Sequence, residues 1–202
     1  MKLKKPKFWD DSKISLFSIL LYPISLLFLL ISFINKFKSP KNYSIPIICV
    51  GNIYIGGTGK TPLAVEIFNI TRSLGKNPAF VKKHYDYLKD EIRMLKKIGA
   101  TFVSKIRKHA LDSLEKQNYD VAILDDGFQD YSINKNFSIL CFNQKQWIGN
   151  NLLIPSGPLR EKLSAIKRAD CIFINGSKDV NIEIKYIKKI KVLKYFMQII
   201  NL

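Results

Sequence analysis

Four short stretches carry residues whose types and spacing could do chemistry. Gly56-Gly57-Thr58-Gly59-Lys60-Thr61 is a glycine-rich turn that ends in a lysine and a hydroxyl. Glycine tolerates positive φ and has no Cβ, so such a turn can aim successive backbone N–H groups at one anion. A helix starting there adds its positive end, the lysine reaches the outer phosphates, and the threonine hydroxyl can ligate Mg²⁺. The apolar run before Asp125 and Asp126 ends in two carboxylates. At the end of a sheet strand they could serve a metal, or merely form a turn. Arg160 and Glu161 follow the proline–glycine loop PSGPL. Arg160 could take a phosphate bidentately, and Glu161 could place metal or orient Arg160. A surface ion pair at a helix start is the plainer alternative. Asp90 and Glu91 open a helical stretch after a polar loop, where capping and helix-dipole complementarity are the ordinary roles.

These groups need a scaffold that brings distant segments to one edge. Residues 45–50 form a short apolar strand pattern ahead of the glycine turn, and residues 62–74 carry helical spacing after it, closed by Gly75. Strand patterns recur at 78–81, 101–104, 120–124, 137–142 and 171–175, with helical patterns at 91–98 and 107–117 between them. Strands alternating with helices predict βαβ units. The expected fold class is α/β: a P-loop NTPase-like parallel sheet flanked by helices, with an N-terminal membrane-associating helix. Residues 182–200, rich in Ile and Lys, predict a terminal strand or hairpin. One irregularity stands out. The pattern GxxxxGKT places glycine at residue 54, and this chain has Tyr54 there.

The chain has 202 residues, 47% hydrophobic, with a net charge of +17. It is long enough for one well-buried domain and too apolar for disorder. The charge suits an anionic partner, although a lysine-rich composition explains it as well. No nucleic-acid module appears, so none is expected as a partner. Cys49, Cys141 and Cys171 lie inside apolar runs without metal spacing, which predicts core packing in a reducing compartment. His84 and His109 are isolated. Residues 14–34 contain no charged residue, have Pro23 in the middle and Ser15, Ser18, Ser25 and Ser32 softening the run, and carry lysines on both flanks. Such a run could span a bilayer, lie in an anionic surface, or be a soluble core helix. Residues 1–43 are expected to form this arm and its linker, and 44–202 the phosphate-loop domain.

Taken together, VGNIYIGGTGKTP, KDEIRML, ILDDGFQDY and IGNNLLIPSGPLREKLSAIKRAD, in this order, resemble the tetraacyldisaccharide 4'-kinase family, the lipid A kinases of Gram-negative bacteria. The N-terminal PKFW followed by an apolar run is similar too, and the family also lacks glycine at the position of Tyr54. The resemblance implies transfer of the γ-phosphate of Mg·ATP to the 4'-hydroxyl of tetraacyldisaccharide 1-phosphate at the cytoplasmic face of the inner membrane. It implies ATP and Mg²⁺ as cofactors, with Gly56, Gly57, Thr58, Gly59, Lys60 and Thr61 on the phosphates. Thr61, Asp125, Asp126 and Glu161 would serve the metal, with Arg160 near the reacting phosphates. Asp90 falls on the aspartate of the family's GDE motif, the proposed catalytic carboxylate.

Three departures accompany the likeness. The family's smaller C-terminal subdomain, with a histidine that partners the catalytic aspartate, has no counterpart here. The family's SRGYG is replaced by Lys82-Lys83-His84-Tyr85-Asp86. The histidine that often ends LDDGFQH is Asp130. The nucleotide half is therefore expected intact and the acceptor half curtailed, which leaves a non-catalytic nucleotide- and membrane-binding relative as the alternative. A GTPase-like chaperone would need a base-specifying motif such as NKxD, which is absent. The sequence does not indicate an oligomeric state.

Overall fold

The computed structural model describes residues 5–11, 13–176 and 195–198. Contacts divide the chain into two compact units that interleave along the sequence. The first comprises residues 1–38, 52–58 and 140–202, and the second residues 39–51 and 59–139.

The second unit holds four parallel strands. They are β1 (Ile47–Gly51), β2 (Pro78–Lys83), β3 (Thr101–Ser104) and β4 (Val121–Asp125), in the order β3-β2-β4-β1. β4 is buried at all five positions, and its unbroken apolar run is the signature of a strand covered on both faces. The connecting helices are α2 (Lys60–Ser73), α3 (Lys89–Ile98) and α4 (Arg107–Glu115). α2 starts two residues earlier than the spacing predicts, because Gly59 adopts a left-handed φ of 86° and turns the chain into the helix. In α3, Ile92 and Leu95 face inward between exposed lysines, and the Gly99 N–H closes the helix on the Leu95 carbonyl at 3.0 Å. Gly51 cannot be another residue without movement: a Cβ there would lie 2.5 Å from the Phe128 Cβ.

The first unit contains the apolar helix α1 (Leu16–Asn35), the strand β6 (Cys171–Asn175), and β7 (Tyr195–Gln198) pairing parallel to it. The strand β5 (Phe137–Asn143) begins in the second unit and ends in the first. β7 falls within the terminal strand expected over 182–200, and the rest of that stretch lies outside the described residues.

α1 inverts the usual amphipathic logic. Ser18 and Ser25, one heptad apart, are the buried positions, at 0% and 2% exposure. Ser25 Oγ donates to the Leu153 carbonyl at 2.9 Å and meets Ser156 Oγ at 2.9 Å, while Asn150 Nδ2 donates to Ser18 Oγ at 3.2 Å. Leu16, Phe17, Leu20, Leu27 and Ile31 instead face outward, each more than half exposed. The helix is long and apolar enough to cross a membrane, by length and composition. Pro23 lies within the helix without ending it. The serines that dilute the sequence pattern are its docking stripe, so a core helix sheathed in protein is not what this unit builds.

The three cysteines are buried and form no disulfide among the described residues, and burial pushes the Cys49 thiol up to about 11, as suits a packing residue.

Candidate nucleotide site

In the second unit, the first turn of α2 and the ends of β2 and β4 converge. Thr61 Oγ1 donates to Asp125 Oδ2 at 3.0 Å and stands 3.5 Å from Glu91 Oε2. The Lys82 ammonium, at the C-terminal end of β2, contacts Asp125 Oδ2 and donates to Glu91 Oε2 at 2.6 Å. Lys82 and Asp125 are buried, whereas the Glu91 side chain is 45% exposed. Burial alone would lower the Lys82 pKa, but the Asp125 and Glu91 carboxylates outweigh it and hold it above the ordinary lysine value. Asp125 Oδ1 is buried and has no hydrogen-bond partner among the described residues.

Asp126 sits one residue beyond β4 at φ 61°, in the left-handed region. Its N–H donates to the Val50 carbonyl at 2.8 Å, and its carbonyl accepts from Arg107 Nη2. Arg107 Nη1 also reaches Asp130 Oδ2 at 3.4 Å. Asp130 is therefore part of the brace that shapes the DDGFQD turn. Burial pushes its carboxyl up, but Ser132, Arg107 and Lys135 outweigh it and hold the pKa below the ordinary value. Asp90 lies in the exposed first turn of α3, and its side chain makes no hydrogen bond or ion pair among the described residues. The helix is capped at Leu88 without a side-chain bond, so a capping role for Asp90 is not what the structure displays.

The first unit contains residues 52–58, with Gly56, Gly57 and Thr58 among them. Gly56 has φ 126°, and Thr58 is buried with its Oγ1 accepting from Asn52 Nδ2 at 2.8 Å. Asn52 Oδ1 accepts from Arg160 Nη2, so one fully buried amide ties the glycine loop to Arg160. Glu161 is buried and accepts from Arg168 Nη2 at 2.5 Å. Tyr54, at the irregular position, is fully buried. It forms a backbone bridge with Leu159, and its hydroxyl meets Asp10 Oδ1 at 2.5 Å and Lys5 Nζ at 2.7 Å. A glycine there would leave this core position empty. The working turn is accordingly the shorter stretch from Gly56 to Gly59.

Lys82, Asn52, Arg107 and Arg168 escaped the reading of the sequence, and Glu91 entered it only as a helix-end charge. Asn52 is the exception with a visible signal, since it lies inside VGNI just ahead of the loop. Replacing it by alanine removes the brace while leaving every charged group in place. Asn52→Ala is expected to raise the ATP dissociation constant by about tenfold, the worth of one lost buried hydrogen-bond set. Titration with a fluorescent ATP analogue measures this, and unchanged affinity would show the brace to be dispensable.

A glycine turn entering a helix, with a buried aspartate on the neighbouring parallel strand bonded to the helix's first hydroxyl, defines a phosphate-loop α/β nucleotide-binding protein. The chain belongs to the tetraacyldisaccharide-1-P 4'-kinase family, whose family model matches residues 17–97 and 82–201. It is 47% identical over 185 residues to the tetraacyldisaccharide 4'-kinase of Pelagibacter ubique, covering 92% of this chain and 59% of that one. It is 32% identical over 188 residues to the enzyme of the same name from Psychromonas ingrahamii, covering 80% of this chain and 59% of that one. The chain thus spans less than two thirds of the length of these relatives. Among solved structures, LpxK from Aquifex aeolicus in complex with ATP has the same fold, with a TM-score of 0.67 at 22% identity, over 92% of this chain and 82% of that one.

Proposed function

We propose that the chain carries the nucleotide-binding part of a kinase that transfers the γ-phosphate of ATP to the 4'-hydroxyl of tetraacyldisaccharide 1-phosphate in lipid A biosynthesis. The observation that carries this is the Thr61–Asp125 hydrogen bond at 3.0 Å, which couples the GKT turn to a buried strand-end carboxylate. Family membership supplies the substrate.

Mg²⁺ fits the residues present. It favours hard oxygen ligands and uses one or two carboxylates together with substrate phosphates. Asp125 Oδ1 is a buried carboxylate oxygen without a hydrogen-bond partner among the described residues, and Thr61 and Glu91 stand beside the same carboxylate. When bound, Mg²⁺ would draw negative charge from the outer phosphates. The chain's own groups do the rest. The N–H groups of the glycine turn and the Lys60 ammonium bind and orient the triphosphate, and Arg160 is assigned to the transferring phosphate by resemblance alone. Asp90 accepts or steers the proton of the acceptor hydroxyl, a task that suits an exposed carboxylate without a side-chain partner among the described residues. Asp126 and Glu161 are assigned to the metal by resemblance alone.

Purified chain, Mg·ATP and tetraacyldisaccharide 1-phosphate should yield the 1,4'-bisphosphate product. Retained ATP binding without product would leave the non-catalytic relative as the correct reading.

The reading places the protein on the cytoplasmic face of the inner membrane, where ATP meets a lipid-borne sugar. It is supported by the outward apolar face of α1 and the net charge of +17. The full chain should sediment with vesicles containing phosphatidylglycerol. A Leu20→Glu/Leu27→Glu double variant changes two outward positions, 66% and 62% exposed, and should remain in the supernatant. Equal sedimentation of the two chains would refute α1 as the anchor.

A further inference from the structure

Lys82 is the group that the proposed transfer reaction does not use. It is a buried lysine, 2% exposed, inside a carboxylate cluster that otherwise suits a divalent cation. Burying an ammonium is costly unless it is paired, and Lys82 is paired twice, with Asp125 and with Glu91. The two contacts are unlike. Asp125 is fully buried and cannot turn away, whereas the Glu91 side chain is 45% exposed and can swing toward water. Lys82 also engages only one oxygen of Asp125. It shares Oδ2 with Thr61, and Oδ1 is left without a hydrogen-bond partner among the described residues. Lys82 opens the segment Lys82–Asp86, where the chain departs from the SRGYG pattern.

We propose that Lys82 is a resident counter-cation of the nucleotide site. It fixes Asp125 so that Oδ1 is the oxygen offered to a divalent cation, and it suppresses binding of that cation until a triphosphate arrives. This rests on the assignment of Asp125 to a nucleotide-bound metal. The charge balance explains the coupling. Two carboxylates and one ammonium leave a single negative charge, a weak attraction for a divalent ion. Among the described residues no group of three or more His, Cys, Asp or Glu is placed to hold a metal by itself. The triphosphate brings the missing negative charge and oxygen ligands. Metal and nucleotide therefore bind together, and Glu91 is the partner free to release Lys82 and turn to the ion. Lys82 is a positioning residue in this scheme, acting on the metal through Asp125.

The test is a Mn²⁺ titration of the full chain, read by the electron paramagnetic resonance of free Mn²⁺, first without nucleotide and then with ATP. Removing the ammonium in Lys82→Met should tighten nucleotide-free Mn²⁺ binding by about tenfold or more, because two carboxylates then face the ion uncompensated. Lys82→Arg keeps the charge and should bind Mn²⁺ as weakly as the unaltered chain. Unchanged or weaker nucleotide-free binding in Lys82→Met overturns the proposal. Should Lys82→Met fold only when Mn²⁺ is present, the ion is replacing the ammonium, which supports it. A variant that stays unfolded with Mn²⁺ makes Lys82 a purely structural residue and overturns it. The metal assignment is tested separately by Asp125→Asn, which should lose Mn²⁺ affinity in the presence of ATP. Retained affinity there sinks that assignment, whatever Lys82→Met does.

Discussion

Lys60→Ala is expected to lower phosphoryl transfer by on the order of 10³-fold, the scale of losing a preorganised charge from the transition state. Lys60 is the first residue of α2, directly after left-handed Gly59, so its backbone N–H and ammonium both belong to the loop end of the helix. Alanine keeps the helix and its N–H groups. Ground-state binding of ATP should therefore fall much less than turnover, because negative charge builds on the leaving-group oxygen between the β- and γ-phosphates only as transfer proceeds. The measurement is product formation from tetraacyldisaccharide 1-phosphate under saturating Mg·ATP, with ATP binding measured beside it. Lys60 is half-buried at the surface end of the helix, and alanine favours the helical backbone there, so turnover should fall far more than the thermal unfolding midpoint. Turnover within tenfold of the unaltered chain would remove Lys60 from the mechanism.

Asp125→Asn is expected to affect both activity and stability. The amide preserves the shape of the strand end but removes the charge that holds Lys82 and, in the proposed mechanism, the metal. Transfer should fall on the order of 10²- to 10³-fold. Stability should fall by about 3 kcal/mol, because the buried ammonium keeps only half-exposed Glu91 as a partner. Urea unfolding followed by circular dichroism reads the second effect. Its pH dependence follows from Lys82. Burial would lower the lysine's pKa, but Asp125 first and Glu91 after it raise it above the ordinary 10.5. A raised lysine contributes in full below the unfolded value and loses its contribution as the pH rises through the folded value. The stability gap between the two chains should therefore be flat across neutral pH and, on the alkaline side, close only as the pH rises through the raised lysine value. A gap that closed near pH 7 would rule out the Lys82–Asp125 pair as its cause.

The two predictions draw on different kinds of information. Lys60 is legible because the phosphate loop is local. Glycine types, a lysine and a hydroxyl within six positions dictate a turn into a helix, and the flanking apolar periodicities dictate the strand and the helix. The alternation of strands and helices likewise implied the parallel sheet. The same locality misled in places. Tyr54 looked like a defect in the glycine pattern, yet it is a buried core residue bridged to Leu159. The serines of α1 looked like dilution of an apolar run, yet they are its bonds to the protein. Asp90 and Glu91 looked alike as helix-end charges. One turns to solvent and the other meets a buried lysine.

By itself, then, the sequence determined the chemistry of the loop, the class of the sheet and, through four separated motifs, the family. What only the tertiary structure decided is which groups act on one another across the chain. Lys82 meets Asp125 from 43 positions away, and Asn52 meets Arg160 from 108. No periodicity or propensity encodes such pairs, because each residue's own segment is satisfied without the other. They arise when β2 and β4 align side by side, and when the loop after residue 150 folds back against residues 53–55. Parallel register put a lysine beside a strand-end aspartate. That neighbour turns the carboxylate from a recognisable motif into a site with a charge balance of its own.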